Sequence, residues 1–311
     1  MPELTVERLF SDPPLFGGVP QNPRFTPDGR FAAFLRLAAD DRERLDLWRV
    51  DLDTGAIDCW VEATRLGAVG TGDRTEAERA ERERRRQFAG GITSFAFSPD
   101  GRRLLLPVEG TAFVLDLERD ELTAVTPPGT RQTDVRFSPD GSQLSYVRDG
   151  DLYRYDLDGG REVRLTADGS GIVSNGLADF IAQEEMHRFE GYWWSPDSRY
   201  LAFTRVDESP VAVSQRFEVS ADEVTTIPQR YPYAGADNAD VRLIVLDVTS
   251  GDMNEIPYRK EQDDYLARVS WLGSRLAVQR QSRDQHTLEL ILFDADGSGA
   301  ETVLRESSAT W

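Results

Sequence analysis

The sequence predicts an all-β fold, a β-propeller, on three observations. A short turn-and-strand phrase returns along the chain, a second strand ending on an aspartate follows each return, and the closest spacing matches a propeller blade. The phrase reads RFTPDGRFAAFLR from Arg24, AFSPDGRRLLLPV from Ala96, RFSPDGSQLSYVR from Arg136 and WWSPDSRYLAFTR from Trp193, with a degenerate fifth copy, SWLGSRLAVQR, from Ser270. Proline sets φ at the first turn position, and glycine supplies the positive φ that lets the chain reverse. The alternating residues after each turn have the period-2 pattern of a strand with one buried face.

The second strands are LDLWRVDLDTG from Leu45, TAFVLDLERDE from Thr111, DLYRYDLDGG from Asp151, VRLIVLDVTSG from Val241 and LELILFDADGSG from Leu288. Pro99 to Asp116 and Pro139 to Asp156 are both 17 residues, which predicts two hairpins of equal size. Pro27, Pro99, Pro139 and Pro196 lie 72, 40 and 57 residues apart; 40 is about a bare blade, and the longer gaps imply insertions. Five to six blades are visible. Because propellers close to leave no free edge, the chain is expected to be the N-terminal part of a larger propeller, residues 1–311 forming one domain.

Three insertions interrupt the repeat. Residues 74–88, RTEAERAERERRRQF, have strong helix formers, no Gly or Pro, and acid-to-base pairs four apart such as Glu78–Arg82, so a helix is expected. Residues 175–190 contain LADFIAQEEMHRF, which suggests a short helix entered from an Asn175–Gly176 turn. Residues 206–240 fall between the two halves of the fourth blade and read as an extended hairpin arm.

Composition excludes several functions. Fifty-five acidic against 36 basic side chains give a formal charge of −19, which repels nucleic-acid backbones and acidic membranes. One cysteine, Cys59, and two histidines, His187 and His286, leave neither a disulfide framework nor a Cys/His metal centre, so no metal or other cofactor is expected. No 18-residue apolar run exists to span a membrane. The first 18 residues place Glu3, Glu7 and Asp12 where a secretion leader needs a basic and then an apolar stretch. A cytoplasmic protein is expected if Met1 is the native start, and a periplasmic or secreted one if a leader was removed.

Catalytic motifs are missing from the sequence: it has no Gly-x-Ser-x-Gly elbow, Walker loop, dinucleotide loop or HExxH. Asp294-Ala-Asp296-Gly-Ser298-Gly299 opens like a calcium loop, but Arg305 stands where the bidentate glutamate is needed, so turn chemistry accounts for it. Two features carry recognition chemistry. Glu184 and Glu185 are adjacent in an aromatic-rich insertion, where successive helical carboxylates about 100° apart can converge on one cation; the competing assignment is a solvated helix face. The run Arg82, Arg84, Arg85, Arg86 is either a solvated, salt-bridged helix face or the source of one guanidinium that holds a carbonyl or carboxylate. Trp193 and Trp194 occupy the strand position of Phe97 and Phe137 and are expected in the core.

The segment Asn175-Gly176-Leu-Ala-Asp179-Phe180-Ile-Ala-Gln183-Glu184-Glu185, followed by Gly191-Tyr192-Trp193-Trp194-Ser195-Pro196-Asp197, resembles the dipeptidyl peptidase IV family of prolyl oligopeptidase-type serine peptidases. Phe203-Thr-Arg205-Val-Asp207-Glu208-Ser209-Pro210-Val211 and Arg230-Tyr231-Pro232-Tyr233-Ala234-Gly235-Ala236-Asp237-Asn238 continue that signature, and the opening of the chain is similar to bacterial members. Phe180 stands where the family has tryptophan, and Gln183 where it has a third acid.

The resemblance implies the N-terminal part of an eight-bladed propeller that gates a C-terminal α/β-hydrolase domain. It further implies that Glu184 and Glu185 bind the free N-terminal ammonium of a peptide, so that dipeptides with Pro or Ala second are released. Arg84 or Arg86 would contact the substrate's backbone carbonyl, and the arm 206–240 would support a homodimer. The family's Ser, Asp and His fall in the hydrolase domain and match nothing here, so the 311-residue chain alone is expected to be inactive. The alternative is a stand-alone propeller that binds a protein or peptide without catalysis.

Overall fold

In the computed structural model, which describes residues 4–9, 19–41, 43–67, 89–126 and 130–310, the four Pro-Asp turns are closed by the same local hydrogen bonds. Thr26, Ser98, Ser138 and Ser195 donate their hydroxyls to Asp28, Asp100, Asp140 and Asp197 at 2.5, 2.6, 2.6 and 2.5 Å. Each aspartate also accepts the backbone N–H two residues on. The residue after the aspartate is left-handed: Gly29, Gly101 and Gly141 at φ 70, 72 and 72°, and Ser198 at 58°. Serine meets that strain with a use for its hydroxyl, which accepts the Asp140 N–H at 3.0 Å and ties the fourth turn to the third.

The strands form five antiparallel meanders. Sheet 1 comprises β1 (Gln21–Phe25), β2 (Phe31–Leu37), β3 (Arg44–Asp51) and β4 (Ile57–Val61), with the short β5 (Gly90–Gly91) parallel to β3. Sheet 2 comprises β6 (Ala96–Phe97), β7 (Arg103–Val108), β8 (Thr111–Asp116) and β9 (Glu121–Ala124); sheet 3 comprises β10 (Thr133–Phe137), β11 (Gln143–Arg148), β12 (Asp151–Asp156) and β13 (Arg161–Arg164). In sheet 4, β14 (Val173–Asn175) and β15 (Tyr192–Trp194) both pair with β16 (Tyr200–Asp207). The arm hairpin of β17 (Val213–Val219) and β18 (Val224–Arg230) follows, and β19 (Asp240–Asp247) with β20 (Met253–Glu255) completes the sheet. Sheet 5 comprises β21 (Tyr265–Leu272), β22 (Arg275–Gln281), β23 (Thr287–Phe293) and β24 (Glu301–Ser307).

The equal spacing in sheets 2 and 3 has a geometric cause. Glu109–Gly110 joins β7 to β8 with φ of 48 and 76°, and Asp149–Gly150 joins β11 to β12 with φ of 52 and 78°. Two left-handed residues make a type I′ turn, whose twist matches the flanking strands. The six-residue registers that follow, Arg103↔Asp116 to Val108↔Thr111 and Gln143↔Asp156 to Arg148↔Asp151, are the same.

The chain divides into two compact units, Met1–Thr130 and Arg131–Trp311. Within the first, Leu35, Leu47 and Val61 of sheet 1 pack with Leu104, Leu106 and Leu115 of sheet 2. Within the second, sheet 4 is covered on both faces. Leu201, Phe203 and Leu246 join Val147 and Leu152 of sheet 3, while Ala202, Leu243 and Val245 join Leu276, Val278, Ile291 and Phe293 of sheet 5. Successive residues of β16 and β19 thus serve opposite cores, so these strands are buried on both faces where the sequence pattern predicts one buried face, because a sheet packs on either side of sheet 4. Trp193 and Trp194 are half-buried, one against each core, rather than enclosed in either. Tyr192 is fully buried, and its hydroxyl donates to the carbonyls of Asp134 and Ser145 in sheet 3.

Candidate functional site

The glutamate pair sits on an excursion, residues 176–191, from the edge of sheet 4. β14 and β15 are two pieces of one edge strand on β16, and the excursion leaves after Asn175 and returns at Gly191. At its neck the backbones touch: a Cβ on Gly191 would lie 2.4 Å from Gly176 C and O and from Leu177 C. Gly176 is left-handed at φ 83°, and a Cβ there would meet the Leu152 side chain at 2.6 Å. Thr204 of β16 clamps the neck. Its N–H donates to Gly191 O and its carbonyl accepts from Gly176 N, both at 2.8 Å, while its hydroxyl donates to Leu177 O at 2.7 Å.

Below the neck, Asn175 is buried and anchored by its amide. Nδ2 donates to Asp151 at 3.1 Å and to Asp168 at 2.8 Å. Asp151, also buried, accepts from Thr166 Oγ1 at 2.6 Å, Arg164 at 2.5 Å and Gly169 N at 3.0 Å. Burial works against its charge, but the Thr166, Arg164 and Gly169 donors prevail and hold its carboxyl below the usual range.

Beyond the neck, Asp179 caps a five-residue helix, Phe180–Glu184, by accepting the Ala182 N–H at 3.2 Å. The helix ends at Glu185, and the left-handed His187, at φ 51°, turns the chain so that Arg188 N reaches Ala182 O at 2.8 Å. The Arg188 side chain, 2% exposed, lies beneath the helix; it donates to Asp179 at 3.2 Å and to Glu190 O at 2.7 Å. Burial pulls its pKa down and the Asp179 carboxylate opposes that. Phe180 packs edge-on against Tyr231 at 5.2 Å, and Tyr231 against Tyr233 at 4.9 Å, so aromatic contacts link the helix to the chain leaving the arm.

Glu184 and Glu185 are both exposed, at the last turn of this clamped helix. Among the described residues neither forms an ion pair, in contrast to Asp151, Asp168, Asp179, Asp264 and Glu289, which face arginines. Tyr265, at the start of β21, feels the charge of Glu185: burial pushes its phenol up, Arg283 opposes, and the carboxylates of Asp263, Asp179 and Glu185 add to the rise. Met186, Asp179, Asp263 and Tyr265 share a small pocket beside the helix.

Arg84, Arg86 and the whole segment 74–88 lie outside the described residues. Two arginines absent from the sequence reading contact the excursion: Arg188, buried beneath the helix, and Arg268 of β21, whose Nη2 donates to Met186 O at 2.6 Å. Arg188 pairs with Asp179, nine residues earlier, and Arg268 reaches Met186 across 82 residues, so no local pattern marks either. The thiol of Cys59 is pushed up to about 11 by burial and then by Asp46, Glu62 and Asp58, so at neutral pH it is protonated and a poor nucleophile.

A family model described as dipeptidyl peptidase IV (DPP IV) N-terminal region matches residues 97–311. The probable dipeptidyl-aminopeptidase B of Phaeosphaeria nodorum is 30% identical over 184 residues, covering 53% of this chain and 20% of the relative. Dipeptidyl aminopeptidase B of Saccharomyces cerevisiae is 28% identical over 237 residues, covering 70% and 29%. The crystal structure of Porphyromonas gingivalis dipeptidyl peptidase 4 superposes with a TM-score of 0.74 at 21% identity, covering 99% of this chain and 43% of that one. The all-β, propeller-type fold is therefore shared, and the chain spans 20–29% of the length of these curated relatives.

Proposed function

The chain belongs to the dipeptidyl peptidase IV N-terminal region family, and on that premise we propose that Glu184 and Glu185 receive the free N-terminal ammonium of a peptide. The observation that carries this role is a pair of adjacent, exposed carboxylates, unpaired among the described residues, on a helix held from below by Arg188 and at its neck by Thr204. An ammonium has three donors and no acceptor, and two carboxylates offer it charge-assisted hydrogen bonds from two sides. A nearby arginine would normally quench such a pair; here Arg188 is committed to Asp179 and Glu190 O instead.

An ammonium pinned at a fixed point also measures length. If the reacting serine is two residues away, the enzyme releases N-terminal dipeptides, and the family resemblance adds Pro or Ala as the second residue. That serine, with its histidine and aspartate, would come from an α/β-hydrolase portion of the protein, since no residue here matches them. Arg84 or Arg86 would add a donor to a substrate carbonyl. The propeller thereby selects which chain end reaches the nucleophile.

The test is Glu184→Gln/Glu185→Gln in the enzyme that carries this chain, assayed on a free-amine alanyl-prolyl anilide. Glutamine keeps shape and removes charge. With about 1.5–3 kcal/mol for each charged hydrogen bond, and 1.4 kcal/mol for each tenfold, kcat/KM should fall by roughly 100-fold or more. The N-acetylated substrate should be a poor one for the unsubstituted enzyme. Unchanged cleavage of the free-amine substrate by the double variant would refute the assigned role.

A further inference from the structure

Resting on the ammonium role of Glu184 and Glu185, we infer that Arg268 is a positioning residue for that pair, gripping the carbonyl that follows it and fastening the end of the helix to sheet 5. Arg268 Nη2 donates to Met186 O at 2.6 Å, across 82 residues of sequence, and Nη1 donates to Ala267 O of its own strand at 2.7 Å. The second bond fixes the guanidinium plane, so the first cannot swing freely.

Two features make this grip matter. A five-residue helix is too short to persist alone, so its orientation comes from its anchors. The first turn has Asp179 as cap, Arg188 beneath it, and Gln183 Nε2 donating to Ala178 O at 2.7 Å. The other end exposes carbonyls without helical partners, as helix termini do, and Arg268 takes the one next to Glu185. The second feature is a bulge in β21. Leu266 pairs with Arg280 and Arg268 with Gln279, so Ala267 is the extra residue. A bulge re-aims the side chain beside it, and here that side chain is the one that reaches the excursion.

Arg268 is also a cation next to the site, which gives a competing effect of opposite sign. If its charge dominates, it repels a bound ammonium, and removing it lowers KM. If its grip dominates, removing it lets the carboxylates drift and raises KM. Uniform loss of ammonium binding appears in KM, with kcat little changed.

Steady-state kinetics of Arg268→Met, Arg268→Lys, Glu184→Gln/Glu185→Gln and the combined triple variant, on the free-amine alanyl-prolyl anilide, decide the matter. Arg268→Met should raise KM about tenfold with kcat within about twofold, the loss that weakening one charge-assisted hydrogen bond to the ammonium would give. Lysine, which keeps a cationic donor but loses the planar two-pronged grip, should recover part of the loss. In the Gln/Gln background Arg268→Met should add nothing, because there is no carboxylate pair left to place. An unchanged or lowered KM in Arg268→Met overturns the inference, as does an equal loss in the Gln/Gln background. If methionine prevents folding, the lysine variant and its KM-against-kcat split carry the same test. A Gln/Gln variant with unchanged KM refutes the ammonium role itself, whatever Arg268 does.

Discussion

Gly191→Ala adds one methyl group at the place where the excursion closes on itself. The new Cβ would lie 2.4 Å from three backbone atoms of Gly176 and Leu177, whereas ordinary contact begins at 3.4 Å. The two chains must therefore part by about 1 Å, and neither can yield by turning a side chain, because the atoms met are backbone. Thr204 bonds both sides of the neck, so parting them also stretches the bonds to Gly176, Leu177 and Gly191. Overpacking of this kind costs typically 1–3 kcal/mol, and a rigid, doubly clamped site belongs at the upper end, about 3 kcal/mol. Gly191 does not have positive φ, so the cost is steric alone. Gly251→Ala is the matched control: its φ is 84° but nothing lies within 4 Å of the added Cβ, so only backbone strain of about 1 kcal/mol is expected. Thermal unfolding should place Gly191→Ala roughly 6–12 °C below the unsubstituted protein, if the unit that contains it melts cooperatively. A melting point within about one degree of the parent, with Gly251→Ala lower, would show that the neck is not close-packed and would remove the basis for a clamped glutamate pair.

Two further outcomes are expected. Asp28, Asp100 and Asp197 have carboxyls held below the usual range by the hydroxyls of Thr26, Ser98 and Ser195 and then by backbone N–H groups. A lowered folded-state pKa means that the contribution is complete above the unfolded value, about 3.9, and disappears as pH falls through the lower folded one. Thermal melts should therefore drop steeply below about pH 4, and Asp100→Asn should flatten that slope; an unaltered slope would refute the turn's role. Asp151→Ala strands the buried donors of Thr166 and Asn175 along with Arg164, and should cost roughly 3 kcal/mol or more in chemical denaturation, with a loss under about 1 kcal/mol counting against the network.

The turns show why so much of the architecture is legible without coordinates. Ser98 to Asp100 and Asp100 to Arg102 are hydrogen bonds between residues two apart, so their chemistry is written in consecutive letters. Strand geometry is equally local, putting Leu201 and Phe203 on one face and Ala202 on the other, but only the packing of a sheet on each side buries both faces. Ser198 departs from glycine for a reason invisible in its own turn, since its hydroxyl is used by Asp140 of the preceding sheet.

The glutamates divide along the same line. Sequence by itself determined that two carboxylates are adjacent, that they follow an aspartate able to cap a helix, and that an all-β repeat surrounds them. Only the tertiary structure decided that both are exposed, that Gly176 and Gly191 press backbone to backbone beneath them, and that Arg188 is buried under their helix. It alone brought Arg268 to Met186 across 82 residues. The physical reason is range: turn and strand preferences act over a few residues, while the position of a short, non-autonomous helix is set by whatever the packing of neighbouring sheets places against it.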